Sequence, residues 1–154
     1  MPDIEAQRAA MKKLAFLVGR WSGRVRIFRP SGEIELIQTE EASYKLDGLL
    51  LTIEGIGRSS SDQKPGLQAL GIVSYDDEAG TYRMRAFNDG RWLETELTLV
   101  GDGKELQWGF ALQDIQTTSV LRIDSNGDWT ELHQIRIGAQ APKKFMELRV
   151  SPQR

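Results

Sequence analysis

The spacing of apolar residues along the chain changes from a helical to an alternating pattern near residue 20. Before this point the apolar residues recur at helical intervals: Ile4, Met11, Leu14, Ala15 and Val18. Together with Gly19, which is suited to a helix end, they predict one amphipathic helix over about residues 3–18. From Trp21 onward apolar residues alternate with mostly charged ones, which predicts the first strand of an antiparallel sheet.

The rest of the chain repeats one unit, a run rich in β-branched and aromatic residues followed by a Gly or Asx turn. The predicted strands are 20–29, 33–44, 49–58, 67–75, 81–88, 91–100, 105–113, 117–123, 129–137 and 144–150. Because the connections are too short for crossover helices, neighbouring strands should pair as antiparallel hairpins. Closure removes exposed edges, so the prediction is an all-β fold, an up-and-down barrel of about ten strands with one N-terminal α-helix. A two-sheet sandwich is the alternative.

Length and composition bound the class of protein. The 154 residues suit a single domain, 1–154, and the absence of cysteine excludes disulfide scaffolds and thiolate sites and fits a reducing cytoplasm. The net charge of −2 comes from well-mixed charges, so no nucleic-acid partner is expected. The apolar run Leu14–Val18 is too short for an export signal, and no run long enough to cross a membrane occurs. We therefore expect a cytoplasmic protein without a membrane partner, with a homodimer left open.

Three short motifs carry a resemblance to a known family. They are Leu14–Gly23 (LAFLVGRWSG), Gly71–Asp76 followed by Tyr82, and Phe145–Arg149 (FMELR). In this order they resemble calycin-type barrels, the group of lipocalins and nitrobindin-like domains, and in particular a bacterial group of single-domain proteins of similar size. The resemblance implies a lumen that binds a small molecule.

The resemblance also implies roles for individual residues. In lipocalins a tryptophan lies across the barrel floor and an arginine of the last strand stacks on it, and here these roles fall to Trp21 and Arg149. Nitrobindin-like domains hold haem through a histidine in a context similar to Pro142–Arg149, where this chain has Lys143. Haem or nitric-oxide chemistry would therefore require His133 as a replacement ligand.

The sequence carries little catalytic chemistry. His133 is the only histidine, so no multi-histidine or cysteine metal site is expected. There is no G-x-S-x-G elbow, and Asp124–Asp128 fits a hairpin turn better than a calcium loop. We predict no catalytic residues and no cofactor other than the haem alternative. A second alternative is a small barrel isomerase or cyclase using His133, if it converges in one pocket with other polar groups: Tyr44, Tyr75, Tyr82 and Arg85.

Several charged side chains are predicted to coat the outside of the barrel. They are Arg24, Arg26, Arg83, Arg85, Glu94 and Glu96, whereas Glu40 and Glu41 should point to opposite faces. If the lumen were polar, Arg85 would instead be a candidate anion anchor. An interaction module is a further alternative, for which Phe28 and Phe87 on charged faces are the only indications.

The leading hypothesis is non-catalytic binding of a small hydrophobic or amphipathic ligand in the barrel lumen. Ten strands give a barrel wider than the eight-stranded size that side chains fill, so a cavity is expected. The predicted ligand-binding residues are Tyr82, Met84, Leu97, Trp108, Phe110 and His133. Aromatic and methionine side chains suit a flat or flexible apolar ligand.

Overall fold

A computed structural model describes residues 1–153 of the chain. It contains one α-helix, α1 (Ile4–Lys12), and a short 3₁₀ helix (Ala15–Leu17). The strands are β1 (Gly19–Arg29), β2 (Gly32–Lys45), β3 (Leu50–Arg58), β4 (Pro65–Asp76), β5 (Thr81–Asn88), β6 (Arg91–Val100), β7 (Glu105–Leu112), β8 (Ile115–Ile123), β9 (Trp129–Ile137) and β10 (Lys143–Pro152).

The ten strands form one closed barrel. Each strand pairs antiparallel with its neighbours in sequence, and β1 pairs with β10 to complete the ring. The predicted all-β, up-and-down barrel with one N-terminal helix is therefore confirmed, and the two-sheet sandwich is not formed. No helix in residues 1–153 has the length and apolar character needed to span a membrane.

The N-terminal segment differs from the single helix predicted over residues 3–18. Asp3 caps α1 by accepting a hydrogen bond from the backbone N–H of Ala6 at 3.0 Å, but the α-helix ends at Lys12 and a 3₁₀ helix follows. The break changes which side chains face inward, so Ile4 and Val18 are exposed. Of the predicted apolar positions Met11 and Leu14 are buried, Ala15 is also exposed, and Ala10 and Leu17 are buried in addition.

This N-terminal segment covers one end of the barrel. The hydroxyl groups of Tyr44 and Tyr82, on the inner face, donate to the backbone carbonyls of Met11 and Ala10, each at 2.7 Å. The indole N–H of Trp21 donates to the Leu17 carbonyl at 3.0 Å. We call this the closed end, because it is sealed by apolar side chains and by these three hydrogen bonds.

The opposite end of the barrel is open. Along β7 the inward-facing side chains become steadily more accessible, from Leu106 at 1% exposed, through the half-buried Trp108, to Phe110 at 43%. Ile53 and Gly71, in the middle of the inner faces of β3 and β4, are also only partly buried. Solvent therefore reaches the inner face from the open end.

Candidate functional site

A cluster of polar side chains lies on the inner face of the barrel. Gln38 and Glu40 come from β2, Ser119 from β8, and Glu131 and His133 from β9. Strand alternation places them inside, because each shares its face with buried apolar neighbours such as Leu36, Leu121 and Trp129. We call these five residues the lumen cluster.

His133 is held at both ring nitrogens. Its Nδ1 atom lies 2.7 Å from the Ser119 hydroxyl, and its Nε2 atom lies 2.8 Å from Oε1 of Glu131. The second oxygen of Glu131 accepts a hydrogen bond from the indole N–H of Trp129 at 2.7 Å. Both ring nitrogens of His133 and both carboxyl oxygens of Glu131 therefore have hydrogen-bond partners.

Glu40 is a buried carboxyl group. Its residue is 6% exposed, and its hydrogen-bonding partner on the protein is the Gln38 side chain, whose amide nitrogen donates to Oε1 at 3.1 Å. Burial raises the pKa of Glu40, and the nearby charge of Glu131 raises it further, to about 8, against a smaller lowering effect of Gln38. The Glu40 carboxyl is therefore mostly protonated at neutral pH.

Two glycines of β3 make room for these side chains. A Cβ atom at Gly55 would lie 2.7 Å from both carboxyl oxygens of Glu40, and one at Gly57 would lie 2.8 Å from Oε1 of Gln38. That Oε1 atom is buried and has no hydrogen-bond partner within residues 1–153. Gln38 is thus held at the barrel wall with its acceptor capacity unused.

The six predicted ligand-binding residues all lie on the inner face, but at different depths. Tyr82 and Leu97 are buried in the closed half, and the Tyr82 hydroxyl is taken by the helix backbone. Met84 is 9% exposed and lies beside Gly71. Phe110 lies toward the open end, whereas Trp108 and His133 lie at middle depth, both paired in register with Ser119.

Two aromatic rings lie beside His133 in the lumen cluster. The Trp108 and Phe145 rings lie 5.9 Å and 5.8 Å, centroid to centroid, from the His133 ring. Phe145 comes inside because the β9–β10 register shifts between Lys144 and Met146. The polar side of the cluster at His133 is therefore bordered by aromatic rings.

The predicted stack of Arg149 on Trp21 is not formed. Trp21 points inward and packs edge to face on Trp129, with ring centroids 5.4 Å apart. Arg149 pairs with Arg24 in the register, on the outer face, and binds Asp124 at 2.7 Å and Asp128 at 3.1 Å. The register puts the two side chains on opposite sides of the barrel wall.

Arg85 and Glu94 lie on the outer face of the barrel, as predicted. Arg85 is more than half exposed and forms an ion pair with Glu94 at 3.2 Å, so it is not an anchor inside the lumen. Tyr44 and Tyr82 are committed to the closed end, and Tyr75 packs on Tyr82 there. The convergence of His133 with these groups, which the isomerase alternative requires, is therefore not present.

The residues available to a haem do not fit it. Lys143, at the position of the family's histidine, is exposed at the open end and pairs in register with Ile135. His133 has both ring nitrogens engaged, so neither is free for iron. No group of three or more metal-ligating side chains occurs within residues 1–153.

The sequence patterns did not identify Gln38, Glu40, Ser119 and Glu131 as a cluster. Their strands are distant in sequence, and only barrel closure brings β2 and β9 within reach of each other. A usable signal was the pair Gly55 and Gly57 on the inner face of β3, opposite Gln38 and Glu40 of the preceding strand. Glycine in a strand often marks a place where bulkier neighbours need space.

Comparison with known proteins extends the description of the fold. No family model matches the chain, and no curated protein matches it. Among solved structures, the crystal structure of Rv2717c from M. tuberculosis is similar, with a TM-score of 0.72 and 19% sequence identity. The match covers 94% of this chain and 98% of that chain. At this identity the similarity establishes a shared barrel fold.

Proposed function

We propose that this protein binds a small hydrophobic or amphipathic ligand in the barrel lumen, without chemical conversion. The observation that carries the proposal is the gradient of exposure on the inner face. Apolar inner residues toward the open end, Trp108, Phe110 and Phe145 among them, remain partly accessible in a barrel whose other end is sealed. Such a lumen offers an apolar surface that is shielded on most sides.

The depth of the lumen sets the kind of ligand. Aromatic rings at the open side suit an apolar body, whereas the lumen cluster further inside offers hydrogen bonds to one polar group. A ligand with both features would use the two regions at once. An apolar molecule without a polar group should still bind, more weakly, through the aromatic side chains.

A lumen-filling variant tests the proposal. The neutral fluorescent probe N-phenyl-1-naphthylamine should bind saturably, with enhanced emission and a dissociation constant on the order of micromolar. Ala86 lies on the inner face and pairs with Leu93 of the neighbouring strand. Ala86→Trp should therefore weaken binding of the probe about tenfold or more, because the indole ring occupies the space inside the barrel. Fluorescence titration of both proteins gives the comparison.

The matched control is Ala111→Trp on β7. Ala111 is exposed and alternates with the inward-facing Trp108 and Phe110 side of the strand, so the same substitution adds the same ring outside the barrel. This variant should bind the probe like the parent protein. Failure of the parent to bind, or equal binding by Ala86→Trp, would refute the proposal.

A further inference from the structure

We infer that the lumen selects ligands that carry a protonated amine over ligands that carry a carboxylate. This inference rests on the proposed function and specifies the polar group of the ligand. The evidence is that Glu40 and Glu131 face the interior of the barrel and that hydrogen bonds fix the positions of their carboxyl groups.

The interior is acidic. Within residues 1–153, the inward-facing acidic side chains are Glu40 and Glu131, whereas the arginines on the inner-face register, Arg29 and Arg91, are exposed at the rim of the open end. The lysine nearest the lumen in register, Lys143, is exposed at the open end. A carboxylate ligand entering as far as His133 would thus lie beside the Glu131 carboxylate without a lysine or arginine to pair with, which is costly in a poorly solvated space.

Hydrogen bonds from neighbouring side chains hold the carboxyl groups of Glu40 and Glu131 in place. Trp129 and His133 fix both oxygens of Glu131, and the Gln38 amide together with the space above Gly55 fixes Glu40. The two groups are close enough for their charges to interact. An ammonium group beside both would donate a charge-assisted hydrogen bond to each.

The side-chain carbonyl oxygen of Gln38 is a buried acceptor to which no group of the described residues donates a hydrogen bond. The residue is 1% exposed, contacts Glu40 through its amide nitrogen, and leaves its carbonyl oxygen without a partner within residues 1–153. A buried acceptor without a donor is unfavourable, typically by about 1–3 kcal/mol. An ammonium group bound beside the Gln38–Glu40 pair carries three N–H donors, and one of them can satisfy this oxygen.

Binding of an ammonium group should also release a proton. The Glu40 carboxyl keeps its proton because burial and Glu131 oppose a second negative charge, and a cation between the two removes that opposition. Glu40 would then ionise as the amine binds. Proton release is a readout that simple apolar binding does not produce.

Three probes with the same apolar body test the inference: 2-(2-naphthyl)ethylamine, 2-(2-naphthyl)ethanol and 2-naphthylacetic acid. Competition against N-phenyl-1-naphthylamine at pH 7 should give the amine at least about tenfold tighter binding than the acid, with the alcohol between them. Calorimetry in buffers of different ionisation enthalpy should show release of up to about one proton for the amine only.

Two variants test whether the lumen cluster causes the preference for the amine over the acid. Glu131→Gln should reduce the amine preference to about threefold or less, whereas Glu94→Gln, an isosteric change on the outer face, should leave it intact. Circular dichroism of each variant checks that it is folded.

If the fluorescent probe binds but the acid competes as well as the amine, or the amine preference survives in Glu131→Gln, the inference is wrong while the proposed function stands. Absence of probe binding would instead reject the proposed function.

Discussion

Denaturant unfolding is expected to show that the protein loses about 3 kcal/mol of stability between pH 5 and pH 8. The cause is Glu40, whose pKa rises from 4.5 to about 8 in the folded protein. Between these two values the folded state holds a proton that the unfolded state has released. Stability therefore falls as pH rises through this window. Below the unfolded pKa both states hold the proton, so stability no longer depends on the pH through Glu40 and its full contribution is present.

Glu40→Gln provides the test, because glutamine keeps the shape of the protonated acid but cannot ionise. The variant should lose most of the slope between pH 5 and pH 8 and exceed the parent in stability at pH 8. Glu131 and His133, which face the same space, remain in both proteins, so the difference isolates Glu40. The parent's slope should persist in Glu41→Gln, on the outer face. A parent protein with flat stability across the window would contradict the assignment of the buried proton to Glu40.

Other shifted groups act outside this pH window. Burial raises the pKa of Tyr44 and Tyr82, so they ionise only in strongly alkaline solution. Hydrogen bonds lower the pKa of Asp76, from Ala79 above all, and that of Asp124, from Arg149 above all. The carboxylates of these aspartates add stability as pH rises through acidic values, the opposite sign to Glu40. The two effects can therefore be separated along a single pH series.

The strands could be predicted from the sequence because each is bounded by residues with strong local preferences. Gly48, Gly80, Gly90 and Gly127 have positive φ angles at turns, where glycine is favoured. Between turns, alternation predicted each strand, but it left open which face points inward wherever both faces carry mixed residues. The helix was less well predicted, because the apolar spacing over residues 3–18 does not distinguish one α-helix from an α-helix followed by a 3₁₀ helix.

The candidate site could be predicted only in its apolar part. Trp108 and Phe110 share one face of a single strand, so their common side is a local property, and only the choice of that side as the inner one needed the structure. The relation of Glu40 to Glu131 is not local, since it depends on barrel closure and on shear between strands far apart in sequence. The position of Arg149 was predicted wrongly because its role came from the family resemblance, whereas its register with Arg24 placed it outside.

Gly23→Ala is expected to destabilise the protein by about 3 kcal/mol, measured by urea unfolding at pH 6. A Cβ atom at Gly23 would lie 2.0 Å from the Arg149 carbonyl oxygen and 2.8 Å from the Val150 Cα atom. Both are backbone atoms of β10, so the overlap cannot be relieved by turning a side chain. It forces apart β1 and β10, the pair that closes the barrel.

Gly71→Ala is the matched control, because it adds the same methyl group to a strand glycine on the inner face. There the new Cβ atom would meet Sδ of Met84 at 3.3 Å and Cγ at 3.8 Å, and a methionine side chain can shift at small cost. We expect a change of about 1 kcal/mol or less. Since both variants remove the same glycine flexibility from the unfolded chain, their difference reports the close approach of β1 and β10. Equal stability of the two variants would show that the closing strands can separate without loss, and that closure contributes little to the fold.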